Sequence, residues 1–449
     1  MLNEDCKTRL VEDVEEEEGR IRTGTLWTGI THAITAVIGS GILALPWSVA
    51  QMGWIFSPFC LVIFAYITYY ASVLLSDCYR SPDSVYGHRN TTYTRVVRSW
   101  LGPRDVLVCG IVQYITLWGT LIGYTVTTNL SMMSLESTNC TKNLESCTPR
   151  GSKYIVIFGL IQMVLSQIPS LQKVTSISVT AAVMSFTYSI VGLYFCVVKF
   201  VSQSGDVRGS MFGPKIDDLH GLTTTTTTFH SFQALGNIAF AFTYAILLIE
   251  NKTMKKASRY GIGITTVFYM FIGCIGYAAF GNDVPGNILT GFKNPFWLVD
   301  IANIAVVIHM VGAYQVFGQL LFAKHDNWAK SMWPESRFVH NMCTVRVPFV
   351  SIEFAPCSLA LRAGFVALTT MIAIGIPFFN AILGLMGSIT FWPITVYYPV
   401  AMYMVRANIT WGQPKWLALQ SLSILAFLVT VFSAVGSFAD VIHQLRLLD

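Results

Sequence analysis

The chain has 449 residues and a formal net charge of +5; 53% of it is hydrophobic and only 12% is Asp, Glu, Lys or Arg. A soluble domain carries about twice that share of charge, and a mean hydropathy of +0.55 excludes one here. The composition points to a polytopic membrane protein whose main partner is the lipid bilayer, and the small positive charge needs no nucleic acid to explain it.

Residues 1–23 place an acidic run, Asp13 to Glu18, ahead of any apolar stretch. That is the opposite of the basic start of a cleavable signal, so the segment is expected to be a solvated cytoplasmic leader. Apolar stretches then follow near 24–50, 53–76, 106–134, 154–172, 174–198, 229–249, 260–280, 296–323, 358–379, 381–405 and 416–439. Each is long enough to cross a hydrocarbon core about 30 Å thick, which predicts about eleven helices in an all-α membrane fold. With the amino terminus inside, Arg80, Arg89, Arg95, Arg98 and Arg104 fall in one inner loop. Lys252, Lys255, Lys256 and Arg259 fall in a second, and Lys324, Lys330, Arg337 and Arg346 in a third. The excess of positive charge on one side predicts a cytoplasmic amino terminus and an extracellular carboxyl terminus.

The first span is interrupted where a membrane helix is normally continuous. Gly39 and Gly41 each cost about 1 kcal/mol in a helix interior, and Pro46 cannot donate a backbone hydrogen bond. A backbone group freed in hydrocarbon costs several kcal/mol unless something polar binds it, so the string around Gly39, Ser40, Gly41 and Ile42 is a candidate substrate site. Close packing through small residues is the structural alternative for the same glycines.

Ionisable groups inside the spans are few, and each is costly enough to be a functional candidate. His32 precedes the glycine break by about two turns, and His309 sits near the middle of the eighth span. A lone membrane histidine commonly rests as a neutral ring on a nearby carbonyl. A proton site is favoured here because an unperturbed imidazole pKa of about 6.5 suits loading from an acidic exterior and release to a near-neutral interior. One pH unit supplies about 1.4 kcal/mol per proton, and each 100 mV of potential adds about 2.3 kcal/mol.

The ten cysteines are scattered and show no metal-ligand spacing. Cys140 and Cys147 share the expected outer loop 135–153 and are a disulfide candidate, and Asn139 opens a glycosylation sequon in that loop. Thr223 to Thr228 reads as a polar linker. No phosphate-binding glycine loop and no nucleophile elbow occurs, so neither an enzyme nor a cofactor other than a coupling proton is expected.

The run TLWTGITHAITAVIGSGILALPWSVAQMGW at 25–54 resembles the first span of the plant amino acid permeases, in the amino acid/auxin permease group of the APC superfamily. SFQALGNIAF at 231–240, KTMKKAS at 252–258, GYAAFG at 276–281, VGAYQ at 311–315 and FFNAILGL at 378–385 extend the resemblance from about residue 22 to the end. It implies import of amino acids with protons across the plasma membrane by alternating access, with no obligate protein partner. It also implies a LeuT-like inverted repeat of 24–200 and 229–405, an outer linker at 201–228, and an eleventh helix with an extracellular end in 406–449.

On that likeness the amides around Gly39 to Ile42 hold the substrate carboxylate, as free amides at a helix start attract an anion. A second break near Phe240 to Tyr244, including Thr243, offers carbonyls to the ammonium. Asn237 lines the same span, and Tyr114 and Tyr124 of the third span are weaker candidates for capping the substrate. His32 and His309 map to spans 1 and 8, which adjoin in that fold, so one of them replaces the cation of sodium-coupled relatives. Two departures stand out: Asn237 occupies a position expected to be acidic, and the stretch between Glu250 and Lys252 is about ten residues shorter than expected. Carriage of auxin or a γ-amino acid, or a sensor or defective paralogue that binds without transporting, are the rival readings.

Overall fold

The computed structural model describes residues 38–82, 87–90, 92–142, 151–167, 171–214, 223–243, 252–340, 343–347 and 350–446. Its elements are α1 (Leu45–Cys78), α2 (Tyr93–Trp100), α3 (Pro103–Lys142), α4 (Gly151–Leu165), α5 (Leu171–Ser202) and α6 (Thr224–Ala241). They continue as α7 (Lys252–Phe280), α8 (Phe296–Met332), α9 (Pro356–Gly375), α10 (Phe379–Thr390), α11 (Tyr398–Arg406) and α12 (Pro414–Arg446). Among the described residues, eight helical segments are long and apolar enough to cross a membrane, and α4 is a shorter apolar helix.

Apolar side chains face outward along helical stripes. Phe59, Val62 and Tyr66 on α1, Ile264, Val267 and Phe271 on α7, and Leu428, Val431 and Val435 on α12 are all exposed. Gln162, Gln233, Asn237, Asn303 and Gln315 are buried instead. A surface made of continuous apolar stripes at i, i+3 and i+4 has lipid as its solvent.

Spans 1 and 2 run together as α1, with a kink at Gly53, whose φ of 75° lies in the left-handed region. The kink falls at the short connection expected near 50–53. Its freed amides are satisfied by the segment after α5: Trp54 N–H donates to Ser210 O at 3.1 Å and Ile55 N–H to Met211 O at 3.2 Å. The Trp54 indole donates to Arg208 O at 3.1 Å. A Cβ on Gly53 would lie 2.5 Å from Met211 O, so only glycine lets the two segments close.

Helices α1, α6 and α7 pack as one group, while α3, α4, α8 and α9 pack as another; α5 bridges α8 and α7, and α10 and α12 lie against α6. The α6–α10 seam is built from glycines. A Cβ on Gly236 would lie 2.5 Å from Gly384 O, and one on Gly387 would lie 2.8 Å from Phe240 N. Small residues let helix backbones approach where no hydrophobic effect drives them together.

Several boundaries differ from the sequence expectation. Helix α6 begins inside the threonine run, with Thr223 Oγ1 accepting from Thr226 N–H at 3.2 Å. The run serves as an N-cap and first turn, because a threonine hydroxyl satisfies a free helix-start amide. Helix α3 reaches Lys142, so Asn139 and Cys140 lie on its last turns and not in a loop. In the tenth span, seven residues at Phe391–Tyr397 widen into a π turn around Pro393, as expected where a missing donor breaks the ladder.

The loops carry structure that apolar periodicity does not signal. Antiparallel hairpins pair Arg80–Ser81 with His88–Arg89 and Cys343–Val347 with Val350–Phe354. Helix α2 locks the end of α1 to the π turn, with Trp100 Nε1 donating to Cys78 O at 2.7 Å and Tyr93 OH to Ile394 O at 2.6 Å. Asp77 pairs with Lys255 and, at 3.8 Å, with Arg406, joining the ends of α1, α7 and α11.

Gly53→Ala is therefore expected to lower the thermal midpoint in detergent, by strain and by collision with Met211. Gly364→Ala, in open space on α9, should gain up to about 1 kcal/mol of helix propensity. Fluorescence-detected size exclusion after heating separates the two.

Candidate functional site

Gly39 is extended, with φ −126° and ψ −153°, and is followed by a 3-10 turn at Ser40–Ala44. The regular helix starts at Leu45, with Pro46 in its first turn. Pro46 is thus a helix starter, at a position where a missing amide costs nothing, and the break lies one turn earlier in the chain. Ser48 Oγ donates to Ala44 O at 3.0 Å and steadies the junction.

Helix α6 ends opposite this turn. The Phe242 amide folds back onto the carbonyls of Ile238 and Ala239, each at 3.2 Å, and Thr243 N–H reaches Phe240 O at 3.1 Å. Thr243 Oγ1 donates to Ala239 O at 2.8 Å, so the hydroxyl caps its own helix. Tyr269 OH on α7 donates to Ala241 O at 3.2 Å. The helix expected over 229–249 therefore stops at Ala241, and Tyr244 and the shortened stretch lie outside the described residues.

The two breaks touch. A Cβ on Gly41 would lie 3.0 Å from the Ala241 Cα and 3.3 Å from Phe240 Cδ1, so the turn and the helix end meet backbone to backbone. Two polar side chains flank the contact. Ser40 is 1% exposed and Asn237, one turn before Ala241 on the same helix face, is 0% exposed. Ser40 Oγ and both Oδ1 and Nδ2 of Asn237 have no hydrogen-bond partner. Leaving such groups unpaired costs about 1–3 kcal/mol each, and three unpaired polar atoms flank the contact between the breaks.

His309 is a further buried polar group. His309 Nδ1 lies 2.7 Å from Ala181 O, and its ring stands edge-on to Tyr188 at 5.6 Å. A carbonyl only accepts, so Nδ1 carries the hydrogen and Nε2 holds the lone pair. Nε2 and the Tyr188 hydroxyl are both buried without partners. The described contacts of His309 are thus on α5; His32, like Cys147, lies outside the described residues.

Other expected site residues lie elsewhere. Tyr114 OH pairs with His325 Nε2 at 2.8 Å, and its ring neighbours are Trp118 and His325. Asn139 is exposed on the last turns of α3, and Cys140 is disulfide-bonded. A cavity of about 270 Å³ lies between α3 and the 288–296 segment, lined by Ser134, Ser137, Thr138 and Lys293, and shares no residue with the break. Tyr188 and Tyr269 were missed from sequence, since a tyrosine on an apolar helix carries no sign of which carbonyl or ring it meets.

Because the Asn237 amide has no partner, Asn237→Leu is expected to leave the unfolding midpoint unchanged or higher. Tyr269→Phe should cost about 1 kcal/mol through the lost hydrogen bond to Ala241. Thermal unfolding of purified protein in detergent is the check.

Comparison with known proteins agrees with this architecture. The family described as transmembrane amino acid transporter protein matches residues 22–443. Amino acid permease 2 of Arabidopsis thaliana is 43% identical over 96% of this chain and 90% of that protein. Amino acid permease 3 of Arabidopsis thaliana is 44% identical over 95% of this chain and 92% of its own length. The crystal structure of MhsT in complex with L-phenylalanine superimposes with a TM-score of 0.55 at 11% identity, covering 93% of this chain and all of that one. The last likeness concerns the fold, which is that of LeuT-like transporters. With paired helix breaks, a lipid-facing exterior and kinship along nearly its whole length, the chain belongs to the transmembrane amino acid transporter family, as a plant-type amino acid permease.

Proposed function

We propose that this permease imports amino acids together with protons across the plasma membrane by alternating access. The observation that carries the reading is the set of unpaired, fully buried polar atoms on Ser40 and Asn237 beside the Gly41–Ala241 contact. An amino acid is a small zwitterion. Its carboxylate suits the amides at the start of the 3-10 turn, where a helix beginning favours negative charge. Its ammonium suits carbonyls at the end of α6 together with Asn237 Oδ1. Ser40 Oγ and Asn237 Nδ2 complete the donor set.

The coupling proton is assigned to Nε2 of His309, the buried nitrogen with a free lone pair. Protonation makes the ring an imidazolium, whose burial is tolerated only while neighbouring groups turn toward it. Two pH units and 150 mV supply about 6 kcal/mol per proton, on the order of 10⁴-fold accumulation at one proton per solute. The amino terminus lies in the cytosol and the carboxyl terminus outside, with Asn139 available for glycosylation.

In oocytes expressing the chain, labelled amino acid uptake and inward current should both be larger at about pH 5.5 than at about pH 7.5. Asn237→Leu should reduce uptake at least about tenfold while reaching the surface, a loss of about 1.4 kcal/mol or more. His309→Gln should bring the acid-to-neutral uptake ratio close to one. Surface expression with amino acid binding and no current would sink the symport reading in favour of a sensor; competition by auxin or a γ-amino acid alone would change the cargo.

Orientation has its own test. Wild-type protein should lose apparent mass on enzymatic deglycosylation, and Asn139→Gln should not. An unshifted wild type overturns the assignment of the 139 side to the exterior.

A further inference from the structure

Helix α12 is not a passive addition to the bundle. Asp440, near its carboxyl-terminal end, is 7% exposed and lies against α6. Its Oδ2 accepts from Gln233 Nε2 at 2.8 Å and from Gln444 Nε2 at 2.7 Å. Its Oδ1 faces His230 Nε2 at 3.7 Å. A buried carboxylate is costly unless paired, and 3.7 Å is longer than a hydrogen bond, so the hold of Oδ1 on His230 depends on the charge of the imidazole.

His230 stands where three helices meet. Its ring centroid lies 5.8 Å from that of Trp47, in the first turn of α1 after the break. The adjacent Ser231 Oγ donates to Gln51 O at 2.9 Å, tying α6 again to α1. Asn237 follows His230 by seven residues on the same helix, about two turns away. From Asp440 the α12 seam continues through Ser437 against Gly384 and Ser433 against Gly236, the glycines on which α6 and α10 close. Both ends of the seam therefore bear on the helix that carries Asn237.

We propose that His230 and Asp440 form a second proton-binding site, distinct from His309, that sets substrate affinity by fixing α6 against α12. A proton passes from hydronium in the medium to the free ring nitrogen of His230, and the resulting imidazolium pairs through Nε2 with the Asp440 carboxylate. With His230 neutral, the charge pair is lost and the hydrogen bonds from Gln233 and Gln444 remain on Asp440. The titratable groups facing the pair among the described residues are few. His230 is the one on α6, and His443 lies three residues along α12 from Asp440. Neither α10 (Phe379–Thr390) nor α1 before the Gly53 kink contains an acid or a base. The placement of this site on the acidic exterior rests on the orientation proposed above.

The test is the substrate KM as a function of external pH, for wild type, His230→Gln, Asp440→Asn, the double variant and His230→Lys. Wild-type KM should be lower at about pH 5.5 than at about pH 7.5. His230→Gln and Asp440→Asn should each flatten that rise at least threefold, and the double variant should flatten it no further. His230→Lys, permanently charged, should hold the acid-pH KM at neutral pH. The charge carried per amino acid should remain that of the wild type in all of them, because coupling resides at His309. If Asp440→Asn does not reach the surface, His230→Gln and His230→Lys decide the matter by themselves. Variants that lower maximal uptake while keeping the wild-type KM–pH profile would overturn the proposal and leave the pair a packing contact, with proton symport intact. A wild-type KM indifferent to pH, with current still larger at acid pH, overturns the proposal alone; a pH-independent current removes the symport reading as well.

Discussion

A peptide group inside hydrocarbon has no water to bond, and an unsatisfied one costs several kcal/mol. The kink at Gly53 and the end of α6 are organised by that constraint. At Gly53 the amides of Trp54 and Ile55 are taken by carbonyls of the segment after α5. At the end of α6 the amides of Phe242 and Thr243 fold back on their own helix, and the Ala241 carbonyl is met by Tyr269. The polar capacity left over at the meeting of the two breaks is the Ser40 hydroxyl and the Asn237 amide.

Bringing those groups together requires backbones to come closer than ordinary side chains allow. Gly41 meets Ala241, Gly236 meets Gly384, and Gly387 meets Phe240. Helix α6 is gripped on three sides by these contacts: by α1 at the break, by α10 through glycines, and by α12 through serines and Asp440. Hydrophobic burial does not drive helices together in lipid, so close packing and interhelical hydrogen bonds carry the load.

Much of the site was legible because its composition is improbable for its setting. Two glycines and a serine within an apolar span mark an interruption by themselves, since each glycine weakens the turn it sits in. The role of Pro46 was not legible, since proline both ends helices and starts them, and only the backbone shows that it begins α1. The threonine run hid a helix start for a related reason: a polar string reads as linker until one hydroxyl is seen to cap an amide. The pairing of Tyr114 with His325, 211 residues later in the chain, was not legible either. Helical periodicity tells which side of a span is buried and not which helix lies opposite.

The amino-acid sequence by itself determined the membrane class, the approximate spans, the place of the first break and the family. Those properties are local or additive: hydropathy sums along the chain, and a glycine loosens its own stretch of helix wherever it lies. Only the tertiary structure decided that the Gly41 turn touches Ala241, that Asn237 is buried without a partner, and that His309 leans on Ala181. It also joined His230 to Asp440, 210 residues later in the chain. These are pairings between helices far apart in sequence, and they are fixed by which small residues let backbones meet and which polar atoms then find a partner within hydrogen-bond reach.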